Sequence, residues 1–230
     1  MTEFLSGSQF FFLALTLVTF SFGSYLNKKT KLAVLNPILI AAGIIIVLFL
    51  ALDIPNEVYQ AGNRLLTFLL TPATICLSLS LYEQFQDMKK HLGAILLGLF
   101  VGTLGCLGSI WLLCQLFGFD RVLTATMLPK SITTAIGVTL SEELGGIAAI
   151  TSASIVITGI LANMAGPAFC KLLKLTDPIA QGVAFGTAGH VIGTARAAQI
   201  SSLTGAVSSF SLTVTGILTT VLLSFLAQFL

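Results

Sequence analysis

The sequence predicts an all-α polytopic membrane bundle of about seven or eight helical segments, and three observations predict it. Charged residues are only 9% of the chain and hydrophobic ones 56%, with a mean hydropathy of +1.01. The apolar residues fall into runs of about 20, the length a helix needs to cross hydrocarbon. Within the runs they are continuous rather than alternating, which argues against barrel strands. A soluble domain carries roughly 25% charged residues, so this chain has too little charge to cover a globule in water.

The candidate spans are 8–26, 33–52, 65–84, 92–118, 146–169, 178–199 and 204–228. Met1-Thr2-Glu3 lacks the basic start of a secretory signal, so the first apolar run reads as a span kept in the mature protein. The connections are short, leaving a single transmembrane domain over 1–230 and no room for a soluble one. The segment 122–141 is less apolar and contains Pro129 and Lys130.

Charge decides how that segment is read. The positive-inside rule puts Lys28, Lys29 and Lys31 in the cytoplasm, as it does Lys89 and Lys90, with Asp120 and Arg121 outside. A full crossing by 122–141 would leave Lys171 and Lys174 outside. A segment that enters and turns back puts them inside, so a broken or re-entrant element is expected there.

Three polar stretches interrupt the apolar pattern. They begin at Thr71-Pro72-Ala73-Thr74, at Leu128-Pro129-Lys130-Ser131-Ile132-Thr133-Thr134, and at Phe185-Gly186-Thr187-Ala188-Gly189-His190. The last continues through Gly193-Thr194-Ala195-Arg196. Unpaired backbone groups cost several kcal/mol in lipid, so breaks survive only beside protein or a water-filled cavity. Helix breaks are expected at Pro72, Pro129, Gly186 and Gly189. Transporters use such breaks to build midplane sites, although Gly, Ser and Thr also serve ordinary helix packing.

Lys130 and Arg196 are the sharpest candidates, because a base at membrane depth costs about 2.5–3.5 kcal/mol on insertion scales. Each either meets an anion or snorkels to the headgroups. An anion site would draw on Lys130 or Arg196 with hydroxyls from Ser131, Thr133, Thr134, Thr74 and Thr194, and on Gly193. His190 is either a proton carrier or a neutral packing residue. Glu83 is the second proton-coupling candidate, with placement at the interface as its alternative.

Other chemistry has little support. The eleven basic residues are scattered and the net charge is +2, which makes nucleic acid an unexpected partner. The four cysteines lack CxxC spacing and read as small buried hydrophobes. No nucleophile elbow, HExxH, P-loop or Rossmann turn is present. No catalytic residues, cofactor or metal are therefore expected. A broken polar segment followed by an apolar span recurs along the chain, which suggests an inverted repeat that letter matches do not establish.

These motifs resemble the LrgB family, including CidB and the YohK-type proteins. The likeness runs through Leu35-Asn36-Pro37-Ile38, Leu70-Thr71-Pro72-Ala73-Thr74, Leu81-Tyr82-Glu83-Gln84 and Leu128-Pro129-Lys130-Ser131-Ile132-Thr133-Thr134. It continues in Gly145-Gly146-Ile147, Gly186-Thr187-Ala188-Gly189-His190 and Gly193-Thr194-Ala195-Arg196-Ala197. Ala135 and Ala148 stand where the family often has Pro, and Gly189 where it commonly has Ser.

The resemblance implies a multi-pass protein of the bacterial plasma membrane, plausible as a homodimer. It carries two functions. One is a holin- or antiholin-like role in murein hydrolase control and lysis with an LrgA-type partner. The other is movement of small carboxylates such as pyruvate, glycolate or glycerate, as described for relatives that include a plastid protein. A remote likeness to bile-acid symporters and cation/proton antiporters implies crossed broken helices. The in-membrane bases favour transport, lysis control is the alternative, and a structural subunit without any site is a third, weaker class.

Overall fold

A computed structural model describes residues 9–30 and 35–226, with the backbone alone for Gln9, Leu70, Thr74, Leu77, Ser78, Ser80 and Leu81. The described residues form eleven helices and no strand. Four of the helices are long and apolar enough to cross a membrane, as expected for a multi-pass membrane protein. The chain divides into two compact units, Met1–Cys76 and Leu77–Leu230.

The first unit holds α1 (Gln9–Thr30), α2 (Pro37–Leu52), the short α3 (Asn56–Gly62) and the start of α4 (Arg64–Glu83). Asn36 starts α2, its side chain accepting from Ile38 N at 2.9 Å, and Pro37 occupies the first turn, where a missing N–H costs nothing. Phe12 is buried among edge-on rings, 6.5 Å from Phe49 and 6.0 Å from Tyr59. Next to them the Thr16 hydroxyl lies 3.1 Å from Tyr59 OH and 3.2 Å from Asn63 Oδ1. The expected break at Pro72 does not occur, because α4 runs straight through it. Proline removes one backbone bond, and in lipid the remaining ones have no water to compete with them.

The second unit contains α5 (Phe85–Lys89), α6 (Leu92–Leu116), α7 (Arg121–Met127), α8 (Thr134–Glu143), α9 (Ala148–Leu172), α10 (Pro178–Ile200) and α11 (Ser202–Leu226). The expected break in 122–141 separates α7 from α8, with Pro129 between them. At 7 and 10 residues, these helices reach only about 10 and 15 Å. They fold back on each other. Thr151 Oγ1 lies 3.0 Å from Thr126 O, at the end of α7, and 2.6 Å from Ser141 Oγ, in the last turn of α8. Two residues so far apart in sequence share one hydroxyl only if the chain doubles back, which makes α7 and α8 a hairpin.

α10 corrects the expectation of a single crossing over 178–199. His190 has φ 41 and ψ −136, and the helix reverses there. A methyl placed on Gly193 would lie 2.7 Å from Phe185 O, whereas eight residues of straight helix would separate them by about 12 Å. The first limb, 178–189, packs Gly182 against Thr204 and Val207, and Gly186 against Ser208 and Ser211. That constant offset makes it parallel to α11. The second limb packs Gly205 against Ala198, and Thr194 bonds Ser208, so it is antiparallel to α11.

The same design thus occurs twice in this unit: a hairpin, then a spanning helix parallel to its first limb. Phe185 and Gly189 pack on Gly166 and Ala162 of α9, so the second hairpin runs antiparallel to α9. The two copies are therefore inverted. With the first hairpin returning to its own side, Lys171 and Lys174 fall on the side of Lys89 and Lys90.

Candidate functional site

The two hairpins approach α9 from opposite ends. The first meets Thr151 at its base and Ile155 through Gly137, and its tip reaches the level of Thr158. The second meets Gly166, then Ala162, then Gly159. Their tips converge midway along α9, beside a cavity of about 410 Å³. Its walls come from Lys130 and Ser131 of the first tip, Phe185 and Ala188 of the second hairpin, Cys106 of α6 and one face of α9.

Sequence dictates the first tip. Pro129 cannot continue α7 with a normal backbone bond, and Thr133 restarts the chain as the N-cap of α8 in extended conformation. The Thr133 hydroxyl makes no cap bond, leaving the first-turn amides of α8 without an intrahelical partner at the positive end of its dipole. Ser131 is buried, and its Oγ accepts from Cys106 Sγ at 3.0 Å. Lys130 is half-buried at the cavity wall. Among the described residues no carboxylate lines the cavity, and the ion pair found among them is a distant surface one, Lys90 with Asp87 at 3.3 Å.

The second tip is closed by His190. Its ring is buried, and Nε2 lies 2.8 Å from Ile155 O. A carbonyl only accepts, so Nε2 carries the proton in this bond. The ring occupies the space that a side chain at residue 159 would fill, 2.7 Å from a methyl placed on Gly159. Backbone at φ 41 in a non-glycine residue costs of order 1–3 kcal/mol, and the Ile155 bond and close packing offset that strain.

The other sequence candidates scatter. Thr194 is buried and donates to His190 O at 2.8 Å, with Ser208 Oγ also at 2.8 Å, so it staples the hairpin to α11. Gly186 serves close packing rather than a break, Gly193 packs on Phe185 inside the hairpin without lining the cavity, and Gly189 directly precedes the reversal. Arg196 does not reach the cavity; its guanidinium donates to Gln199 Oε1 at 2.8 Å. Thr133 and Thr134 start α8 beside the tip without lining the cavity. Glu83 is exposed at the end of α4, and the side chain of Thr74 lies outside the described residues.

Sequence reasoning missed Cys106, Thr158 and the α9 face. A signal existed, since Ala162, Ala165 and Gly166 form a small-residue stripe at helical spacing, but only the fold shows what faces it.

Comparison with known proteins identifies the family. The chain is 31% identical, over 224 residues and 97% of each chain, to the antiholin-like protein LrgB of Bacillus mycoides (strain KBAB4). It is equally similar, over the same share, to the antiholin-like protein LrgB of Bacillus cereus (strain B4264). No solved structure matches it. The LrgB-like family matches over residues 16–229, and the chain belongs to that family.

Proposed function

We propose that the protein carries small monocarboxylates such as pyruvate, glycolate or glycerate across the bacterial plasma membrane, with the anion held at the meeting point of the two hairpin tips. One observation carries this reading: Lys130 lines a cavity midway along α9 in which no carboxylate is found among the described residues. An uncompensated base at that depth costs about 2.5–3.5 kcal/mol, and a mobile anion removes the cost each time it binds. Lys130 and Ser131 supply charge and a hydroxyl, and the free amides of α8 add the positive end of a helix dipole. Proton coupling belongs in this reading to His190, whose ring bridges the second tip and α9, with Glu83 as the alternative. The test is uptake of labelled pyruvate and glycolate into proteoliposomes. Saturable flux that vanishes in Lys130→Ala while folding is retained supports transport; undiminished flux in that variant removes Lys130 from the mechanism.

A second reading is favoured by a different observation, the antiholin-like naming of the relatives. In it the protein restrains murein hydrolase activity and lysis through a small LrgA-type membrane partner, as a homodimer or in a mixed assembly. Altered lysis in cells carrying Lys130→Ala would tie this role to the same site. Lysis control that survives the substitution, together with absent flux, would leave the regulator reading alone.

A further inference from the structure

Where the two tips meet α9 stands a hydroxyl that its own helix does not use. Threonines elsewhere in these helices donate to the carbonyl one turn back. Thr103 does so to Leu99 O at 2.7 Å, Thr126 to Val122 O at 2.7 Å and Thr220 to Gly216 O at 2.9 Å. Thr158 lines the cavity, half-buried, and makes no hydrogen bond to Ser154 O or to any other described residue. It lies near the middle of a 25-residue helix that is long and apolar enough to cross a membrane. Lipid offers a hydroxyl no partner there.

Ser131 is placed in the same way. Its Oγ accepts from Cys106 Sγ at 3.0 Å, which leaves its own proton unspent, because a hydroxyl carries one donor beside its acceptor sites. Lys130 adds an ammonium without an ion pair among the described residues. The first tip thus offers a charge and a hydroxyl proton from one wall, and α9 offers a second hydroxyl from the other.

Donors on two walls suit a ligand with oxygens on two adjacent carbons. A carboxylate occupies Lys130 and Ser131, which stand together on the tip. The next carbon then meets α9, where Leu161 and Ala162 continue the wall from Thr158 as aliphatic surface. An oxygen on that carbon finds the Thr158 hydroxyl, which donates to a 2-oxo group or accepts from a 2-hydroxyl. A methyl in its place leaves the hydroxyl bare, and a site built to bond a substrate oxygen rejects the analogue that lacks it.

We propose that Thr158 is a specificity-determining residue, reading the oxygen on carbon 2 and selecting short 2-oxo and 2-hydroxy acids over plain acids of the same size. This rests on the reading of Lys130 as the anion site and adds the residue that tells one small acid from another.

The experiment measures binding to the full chain in nanodiscs for two near-isosteric pairs, glycolate with propionate and pyruvate with isobutyrate. In each pair the oxygenated acid should bind about tenfold tighter. Thr158→Val keeps the shape and removes the hydroxyl. It should weaken glycolate and pyruvate about tenfold and leave propionate and isobutyrate unchanged. Thr158→Ser should keep most of the preference, and Lys130→Ala should weaken all four acids alike. Equal binding within each pair, lost in Lys130→Ala, overturns the role of Thr158 and leaves the anion site standing. A preference that survives Thr158→Val overturns it too, as does a uniform loss across all four acids in that variant, which would show a packing role. Absence of binding by any acid overturns the anion site as well.

Discussion

The two hairpins of the second unit are copies in topology and opposites in chemistry. The first turns over a whole stretch, 128–133, and presents Lys130 and Ser131 to the cavity. The second turns on one residue, His190, which is buried and bonded to Ile155 O. One tip is built around proline and a helix start without a side-chain cap bond, so its donors are free. The other holds a non-glycine residue at φ 41 against a helix that has no side chain at Gly159. The difference separates two jobs: the first tip offers binding groups, and the second fixes the depth at which they are met.

If so, damage to the first tip should abolish function without unfolding the protein, and damage to the second should show first as lost stability. The largest effect expected is on flux in Lys130→Ala, a loss of at least tenfold in proteoliposome uptake with an unchanged thermal midpoint in detergent. Lys130→Arg tests whether charge alone suffices, since the guanidinium is longer and planar; partial recovery is expected.

Next comes packing at the second tip. In Gly159→Ala the new methyl would lie 2.7 Å from His190 Nε2 and 2.9 Å from Ile192 Cδ1. Neither the ring nor the reversed backbone behind it has room to move. Overpacking of this kind costs about 1–3 kcal/mol. Gly105→Ala on α6, where nothing lies within 4 Å, is the control and should raise the thermal midpoint slightly, because alanine is the better helix former. Equal midpoints for the two variants would show that the second tip is not tightly fixed.

His190 itself gives a prediction of sign. In an ordinary helix glycine is less stable than alanine by roughly 1 kcal/mol. At φ 41 and ψ −136 the order should invert. His190→Gly and His190→Ala both lose the Ile155 bond, but only alanine keeps the strain, which is of order 1–3 kcal/mol. Unfolding of the two variants side by side reads that difference, and alanine proving the more stable would mean that the reversal had relaxed.

Much of this fold was legible in the sequence. The charge count and apolar run lengths report the solvent the chain meets, and they place α6, α9 and α11 within a few residues. The doubling back of 122–141 was legible too, because Lys171 and Lys174 recorded on which side it had to end. Near His190 a break was expected at Gly189, but that the chain turns back there rather than crossing was not legible. Its segment is long and apolar enough to read as a span, and the Gly residues around it mark close packing and a turn with the same letters. Pro72 misled in the other direction, since proline in a helix surrounded by lipid costs a bond without forcing an end. The site was legible in part. Lys130 announced itself by its cost, while the α9 face that completes the cavity consists of ordinary small and apolar residues.

Arg196 is the smallest effect expected and the clearest test of geometry against sequence. By composition it ranks with Lys130, being a base inside an otherwise apolar segment, and a planar fork suits a carboxylate better than an ammonium does. The reversal at His190 removes it from that role. It places Arg196 on the second limb, running back towards Ser201, where its Nη1 donates to Gln199 a turn away and the cavity wall does not include it. An exposed local bond of this kind contributes about 0.5–1.5 kcal/mol at most. Arg196→Gln should therefore change pyruvate flux by less than about twofold, against at least tenfold for Lys130→Ala. Had α10 been a straight crossing, the two bases would share the site and the two losses would match. A tenfold loss in Arg196→Gln with folding retained would mean that the second limb swings to the cavity during transport, and the division of labour between the tips would have to be redrawn.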